Sequence, residues 1–154
     1  MRARLRDEVV VDVPAARLWD VVTDWARQGE WIPFTRVRTV SGDARGVGGR
    51  IEAWTGVGPV GFPDPMVITV WDAPRRCEVL HTGRVLRGEG GFEVDPVDAT
   101  RSMFVWWESL ELPLGPAGML GWRLASPVWQ IGVDRALDRL RTLAEAHPKS
   151  ASDY

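Results

Sequence analysis

Glu108 and His81 are the side chains of this sequence best suited to acid–base chemistry. Glu108 lies between apolar neighbours in the stretch 104–110, FVWWESL, which has the character of a half-buried strand. A carboxylate buried among such neighbours must pair with a base or have a raised pKa, so Glu108 is a candidate general acid or base. The alternatives are an exposed or arginine-paired glutamate, and for His81 a structural histidine.

Arg84 is a third candidate, because it follows His81 in the turn 81–84. If that turn lies at the mouth of a cavity, Arg84 and a tryptophan N–H could stabilise a developing enolate or oxyanion. Otherwise its guanidinium is simply solvated. Cys77 lies four residues before His81, about 13 Å along a strand, so the two side chains should not pair directly. With one cysteine and two histidines in the sequence, we expect no metal site and no other cofactor.

Nine tryptophans are the unusual feature of the composition. Large rings of this kind usually fill the core, but planar rings with one N–H donor also suit the wall of a pocket for a flat apolar ligand. Trp106 and Trp107 are neighbours on a predicted strand and should therefore point to opposite faces. The residues that we expect to contact a ligand are Trp31, Trp54, His81, Phe92, Phe104, Trp106, Glu108, Trp129 and Val133.

The order of segments predicts how these residues are positioned. Alternating valines at 9, 11 and 13 indicate a strand, and Pro14 is suited to the start of the helix that follows. A second short helix is predicted over 25–31, ending before Pro33. Six further strands are predicted at 36–41, 50–55, 66–72, 76–82, 86–94 and 101–112. The short turns between them favour an antiparallel meander.

A long amphipathic helix is predicted over 119–146, interrupted or kinked at Pro127. The segment 112–133, which overlaps the start of this helix, has the length of a membrane span. Its prolines and Arg123 favour a buried or lid-forming segment instead. Residues 56–61 match the glycine pattern of a dinucleotide-binding loop. The prolines at 59, 63 and 65 exclude the helix that such a loop needs, so we expect a long hairpin connection that could act as a gate.

Composition limits the classes of partner. The chain has 154 residues, a net charge of −2 and no basic stripe, so nucleic acid is not an expected partner. Its lone cysteine excludes an internal disulfide, and the N-terminus lacks the apolar region of a signal peptide. We therefore expect a cytoplasmic monomer or homodimer with one domain over 1–154, a disordered tail at 148–154 and no transmembrane segment.

The order of segments, together with the stretches 24–34, 72–77, 81–84 and Trp107-Glu108, resembles the START-like SRPBCC superfamily in its polyketide cyclase/dehydrase-type branch. The resemblance implies an α+β helix-grip fold: a curved antiparallel sheet of about seven strands, two short helices after strand 1, and a long C-terminal helix over the sheet. It also implies a hydrophobic cavity between sheet and helix, which members use for lipids, sterols or polyketides.

Three hypotheses follow for function. The first is binding of a hydrophobic small molecule, aromatic or polyketide-like, in this cavity. The second is a cyclase or dehydratase acting on a ligand in the same place, although the only tyrosine, at position 154, argues against tyrosine-based chemistry. The third is a surface for a partner protein or membrane, formed by the apolar residues 119–122.

Overall fold

The computed structural model describes residues 1–146, so the predicted disordered tail at 148–154 lies outside the described residues. Two short helices follow the first strand, and one long helix follows the last. The elements are β1 (Arg2–Val11), α1 (Ala15–Val22), a 3-10 helix (Trp25–Glu30), β2 (Thr35–Ser41), β3 (Arg50–Val57), β4 (Val60–Asp72), β5 (Arg76–Thr82), β6 (Arg87–Pro96), β7 (Ser102–Glu111) and α2 (Pro116–Glu145).

The seven strands form one antiparallel sheet in the order β1-β7-β6-β5-β4-β3-β2. Strands β2 to β7 follow one another as a meander, and β1 pairs with β7 along its whole length. The predicted α+β helix-grip fold is therefore confirmed. β1 begins at Arg2, seven residues before Val9, the first of the valines that predicted the strand. From Arg2 onward, its exposed positions alternate with buried or half-buried ones.

The C-terminal half of α2 holds the helix on the sheet. Its buried residues recur at steps of three and four, as an amphipathic helix requires: Val133, Ala136, Leu137, Leu140 and Ala144. The N-terminal half is different, because Leu120, Leu124 and Val128 are 61, 74 and 72% exposed. None of the described helices is both long enough and apolar enough to span a bilayer.

α2 continues through Pro127, which excludes the interruption that the sequence left open as one of two alternatives. Proline lacks the N–H that would bond the carbonyl of Arg123, four residues earlier. The Ser126 hydroxyl donates to that same carbonyl at 3.4 Å, which gives the oxygen a substitute partner. The helix also begins three residues before the predicted start, at Pro116.

The segment 56–61 is not a long connection. β3 and β4 stay paired as far as Val57 and Val60, so only Gly58 and Pro59 remain for the turn. Gly56 and Gly61 lie opposite each other, and a Cβ on either would collide with the other's backbone. The glycines thus serve the close approach of two strands, and the expected gate is absent from this segment.

Candidate functional site

A cavity of about 410 Å³ lies between the concave face of the sheet, the residues around the 3-10 helix, and α2. Most of its wall is apolar, with contributions from every strand between β2 and β7: Val37, Ile51, Ala53, Phe62, Met66, Cys77, Val79, Phe92, Trp106 and Leu110. α2 closes the other side with Trp129, Gly132 and Val133. Phe34, Val128 and Ile131 line the cavity and are also more than half exposed, so they mark its mouth.

One part of this wall is ionic. The His81 Nδ1 lies 2.9 and 3.0 Å from the two carboxylate oxygens of Asp64, and its Nε2 lies 2.9 Å from Glu108 Oε2. The Trp106 indole N–H donates to Glu108 Oε1 at 2.9 Å. The side chains of His81, Asp64 and Glu108 are only 5, 8 and 11% exposed. We call these four residues the ionic cluster.

The ionic cluster depends on a gap in β6. Glu108 on β7 and His81 on β5 are separated by β6, and strands lie about 4.8 Å apart, so the two backbones are too far apart for most side chains to meet. Gly90 of β6 pairs with Glu108, and Gly88 pairs with His81. A Cβ on Gly90 would collide with the Glu108 carboxylate. The absence of a side chain at this position therefore lets Glu108 reach across β6.

His81 is held in its charged form. Burial alone lowers its pKa, but the hydrogen bonds and charges of Asp64 and Glu108 outweigh that effect and raise the pKa to about 10. At neutral pH the ring is an imidazolium with both N–H groups donated to carboxylates. It therefore cannot act as a general base, and its geometry makes it a positioning residue for the two acids.

Asp64 lines the cavity together with Glu108, and both carboxyl groups have acceptor positions left for a ligand. Glu108 is the one that lies beside the Trp106 ring. Its two oxygens accept one hydrogen bond each from Trp106 and His81, whereas a carboxylate offers about four acceptor positions. Because Glu108 also lines the cavity, its remaining lone pairs can accept a hydrogen bond or a proton from a bound molecule. The base that pairs with Glu108 is His81, not an arginine.

Six of the predicted site residues line the cavity: His81, Phe92, Trp106, Glu108, Trp129 and Val133. Trp31 and Phe104 do not. Both are fully buried behind the wall, where the Trp31 ring packs 5.8 Å from Phe92 and 5.9 Å from Trp106. Their role is to support the rings that form the wall.

Trp54 and Arg84, the other two candidate residues, do not line the cavity. The inward residues of β3 are Ile51, Ala53 and Thr55, and alternation along the strand places Trp54 on the outer face. Arg84 is exposed and does not line the cavity, because the turn after β5 leaves its side chain in solvent.

Asp64 is the residue that sequence reasoning missed. It lies between Pro63 and Pro65, a context that favours a loop, and the structure instead extends β4 back to Val60. The signal available was alternation, because Asp64 shares its face of the strand with Met66 and Ile68. Cys77 also lines the cavity, on the same face of β5 as His81. Burial raises the pKa of its thiol to about 12, so the thiol stays protonated.

Three solved structures show the fold of this chain in other proteins. The Zhui aromatase/cyclase from Streptomyces sp. R1128 is 16% identical, with full coverage of both chains and a TM-score of 0.79. A START superfamily protein from Mycobacterium smegmatis is 14% identical, with coverage of 91% of this chain and 98% of its own and a TM-score of 0.71. Norcoclaurine synthase from Thalictrum flavum, in complex with dopamine and hydroxybenzaldehyde, is 13% identical. The match covers 97% of this chain and 90% of the synthase, with a TM-score of 0.71.

The family can be assigned from sequence as well. No curated protein sequence matches this chain. The family model described as polyketide cyclase / dehydrase and lipid transport, however, matches residues 2–145, nearly the whole of the described chain. That match agrees with the seven-stranded sheet, the long C-terminal helix and the cavity between them. The chain therefore belongs to the polyketide cyclase/dehydrase and lipid transport family.

Proposed function

We propose that this protein binds a hydrophobic small molecule with at least one aromatic ring in the cavity between the sheet and α2. The observation that carries the proposal is the cavity itself. Its volume of about 410 Å³ falls within the range of small-molecule sites, and its wall is apolar apart from a few convergent polar groups. Rings of Phe92, Trp106 and Trp129 offer flat surfaces against which another ring can stack.

The comparisons support the aromatic character of the ligand. One similar structure is an aromatase/cyclase, and another, norcoclaurine synthase, is in complex with two aromatic molecules, dopamine and hydroxybenzaldehyde. We extend the preference for aromatic ligands to the present chain because its own cavity wall carries aromatic rings. Polyketide-like and lipid ligands fall within the same proposal, since both offer apolar surface to such a wall.

Two substitutions on one strand test the proposal. Val79 lines the cavity, whereas its neighbour Leu80 is 40% exposed on the opposite face of β5. Val79→Trp should fill part of the cavity and weaken binding of 2-methoxynaphthalene at least tenfold, about 1.4 kcal/mol, by calorimetry. Leu80→Trp adds the same ring outside and should leave the affinity unchanged. Equal effects of the two variants, or no saturable binding to the wild type, would contradict the proposal.

A second candidate function is a cyclase or dehydratase reaction in the same cavity, and Glu108 is the observation that favours it. In an aldol-type cyclisation, Glu108 would take a proton from a carbon beside a ligand carbonyl. The new C–C bond would form at a second carbonyl, whose oxygen becomes protonated before water is lost. Glu108→Gln should then lower turnover about 10²-fold or more while ligand binding is retained. Unchanged turnover would contradict this role.

We also infer that the protein works in the cytoplasm, as one domain over 1–154, and as a monomer or homodimer. This inference is based on the sequence, which has a single cysteine and a length that suits one domain. Light scattering behind a sizing column measures the oligomeric state directly. A tetramer or larger assembly would contradict the inference.

A further inference from the structure

The ionic cluster contains more acidic groups than basic groups. The carboxyl groups of Asp64 and Glu108 flank the single imidazole ring of His81. The described cations of the wall, Arg135 and Arg139, are exposed residues of α2 and do not contact the cluster through any hydrogen bond or ion pair. The buried polar part of the cavity is therefore electronegative.

The donors of the ionic cluster are already engaged. Both N–H groups of His81 point at carboxylates, and the indole N–H of Trp106 points at Glu108. What faces the cavity is therefore acceptor capacity, on the oxygens of Glu108 and Asp64. A ligand carbonyl or ether oxygen at this position would meet oxygens that cannot donate to it. A ligand hydroxyl would meet a charged acceptor, which gives the stronger class of hydrogen bond.

The aromatic rings lie directly beside this acceptor. Trp106 shares its face of β7 with Glu108, two residues away, and its ring packs 5.8 Å from Phe92. A flat ring stacked on this part of the wall would thus place a substituent near the Glu108 carboxylate. Gly90 keeps the space between the strands open, because it has no side chain to cover the carboxylate.

From this geometry we propose that the ionic cluster is a subsite for a phenol-type hydroxyl, so that the cavity selects hydroxylated aromatic molecules over the same rings without a hydrogen-bond donor. The inference rests on the proposed function and names the chemical class of its ligand. Glu108 accepts the hydroxyl hydrogen. His81 positions the Glu108 carboxyl group through its Nε2 hydrogen bond, and Asp64 holds the His81 ring from the other side.

A matched pair of neutral probes tests this inference: 2-naphthol, which has the donor, and 2-methoxynaphthalene, which has the same ring and no donor. Calorimetry at pH 7 should show that the wild type binds 2-naphthol at least tenfold more tightly. Glu108→Gln replaces the charged acceptor with an amide that can donate, so this preference should fall at least fivefold. Glu111→Gln, at the exposed end of the same strand, should keep the wild-type ratio.

The outcomes separate the two proposals. Equal affinities of the wild type for both probes would overturn the hydroxyl subsite while leaving the proposed function intact. A full preference in a folded Glu108→Gln variant would overturn the assignment to Glu108. Failure of the wild type to bind either probe would overturn the proposed function and the inference with it. The wild-type ratio decides the question even if the variant does not fold.

Discussion

Strands β6 and β7 carry two neighbouring clusters on the concave face of the sheet. At one end Phe92, Phe104 and Trp106 pack against Trp31, with ring centroids 5.1 to 5.9 Å apart. At the other end, Gly90 leaves a gap that the Glu108 carboxylate crosses to reach His81. The first cluster is filled by side chains, and the second exists because a side chain is missing.

The difference separates stability from selectivity. Packed rings gain free energy from burial at any pH in the neutral range, because none of them titrates there. A buried ion pair gains little net stability after its desolvation, and what it gains depends on protonation. We therefore expect the aromatic end to hold the cavity open as part of the core, and the ionic end to choose what enters it.

The largest expected effect lies at the aromatic end. Phe104 is fully buried and packs against the rings of Trp31 and Phe92, so Phe104→Ala should lower the free energy of unfolding by about 3 to 5 kcal/mol. The loss should be the same at pH 6 and pH 9, as measured by urea denaturation. A loss that changes with pH would mean that the two ends are not independent.

At the ionic end, the wild type should lose stability as pH rises. The pKa of His81 is about 10 in the folded protein and 6.5 as its ordinary value, so its contribution is complete below pH 6.5 and disappears as pH approaches 10. Between pH 6 and pH 9 the loss should be on the order of 3 kcal/mol. The control is the His81→Gln variant, whose free energy of unfolding should not decline in this way between pH 6 and pH 9. Parallel pH profiles for the two proteins would contradict the charged state of His81.

Closing the gap in β6 should have a smaller effect. Gly90→Ala would push the Glu108 carboxylate away from His81, at a cost of about 2 kcal/mol at pH 6. In a His81→Gln background the same substitution should cost less, because the contact is already lost. Gly46→Ala is the control, since a Cβ there meets nothing within 4 Å, and it should change stability by less than about 0.5 kcal/mol.

Much of this architecture could be predicted from the sequence. Valine alternation, Pro14 and the turn residues between strands are local signals, and they predicted the element order and the meander. The helix-grip fold was implied by the family resemblance. The start of β4 could not be predicted, because Pro63 and Pro65 favour a loop when pairing with β3 is unknown. At Pro127 local signals left an interruption and a kink open, and the compensating bond in the continuous helix comes from the neighbouring Ser126 hydroxyl.

The site was predictable only in its parts. Glu108 and His81 were identified separately, but their contact depends on the register of three strands and on a glycine in the middle one. The faces of Trp54 and Trp106 were equally hard to predict, because a shift of one residue in the pairing register moves a strand side chain to the other face of the sheet. Nothing within either strand fixes that choice.

Indole N–H signals in a two-dimensional ¹H–¹⁵N spectrum test the central claim most directly, because the nine tryptophans include residues of the cavity wall, the core and the outer face of the sheet. Titration with 2-methoxynaphthalene should shift the signals of Trp106 and Trp129, which line the cavity, in a saturable way with one-to-one stoichiometry. The signals of Trp19, packed in the core, and Trp54, on the outer face, should stay in place. Saturable shifts confined to Trp54, or no saturable shift at Trp106 and Trp129, would contradict ligand binding in this cavity.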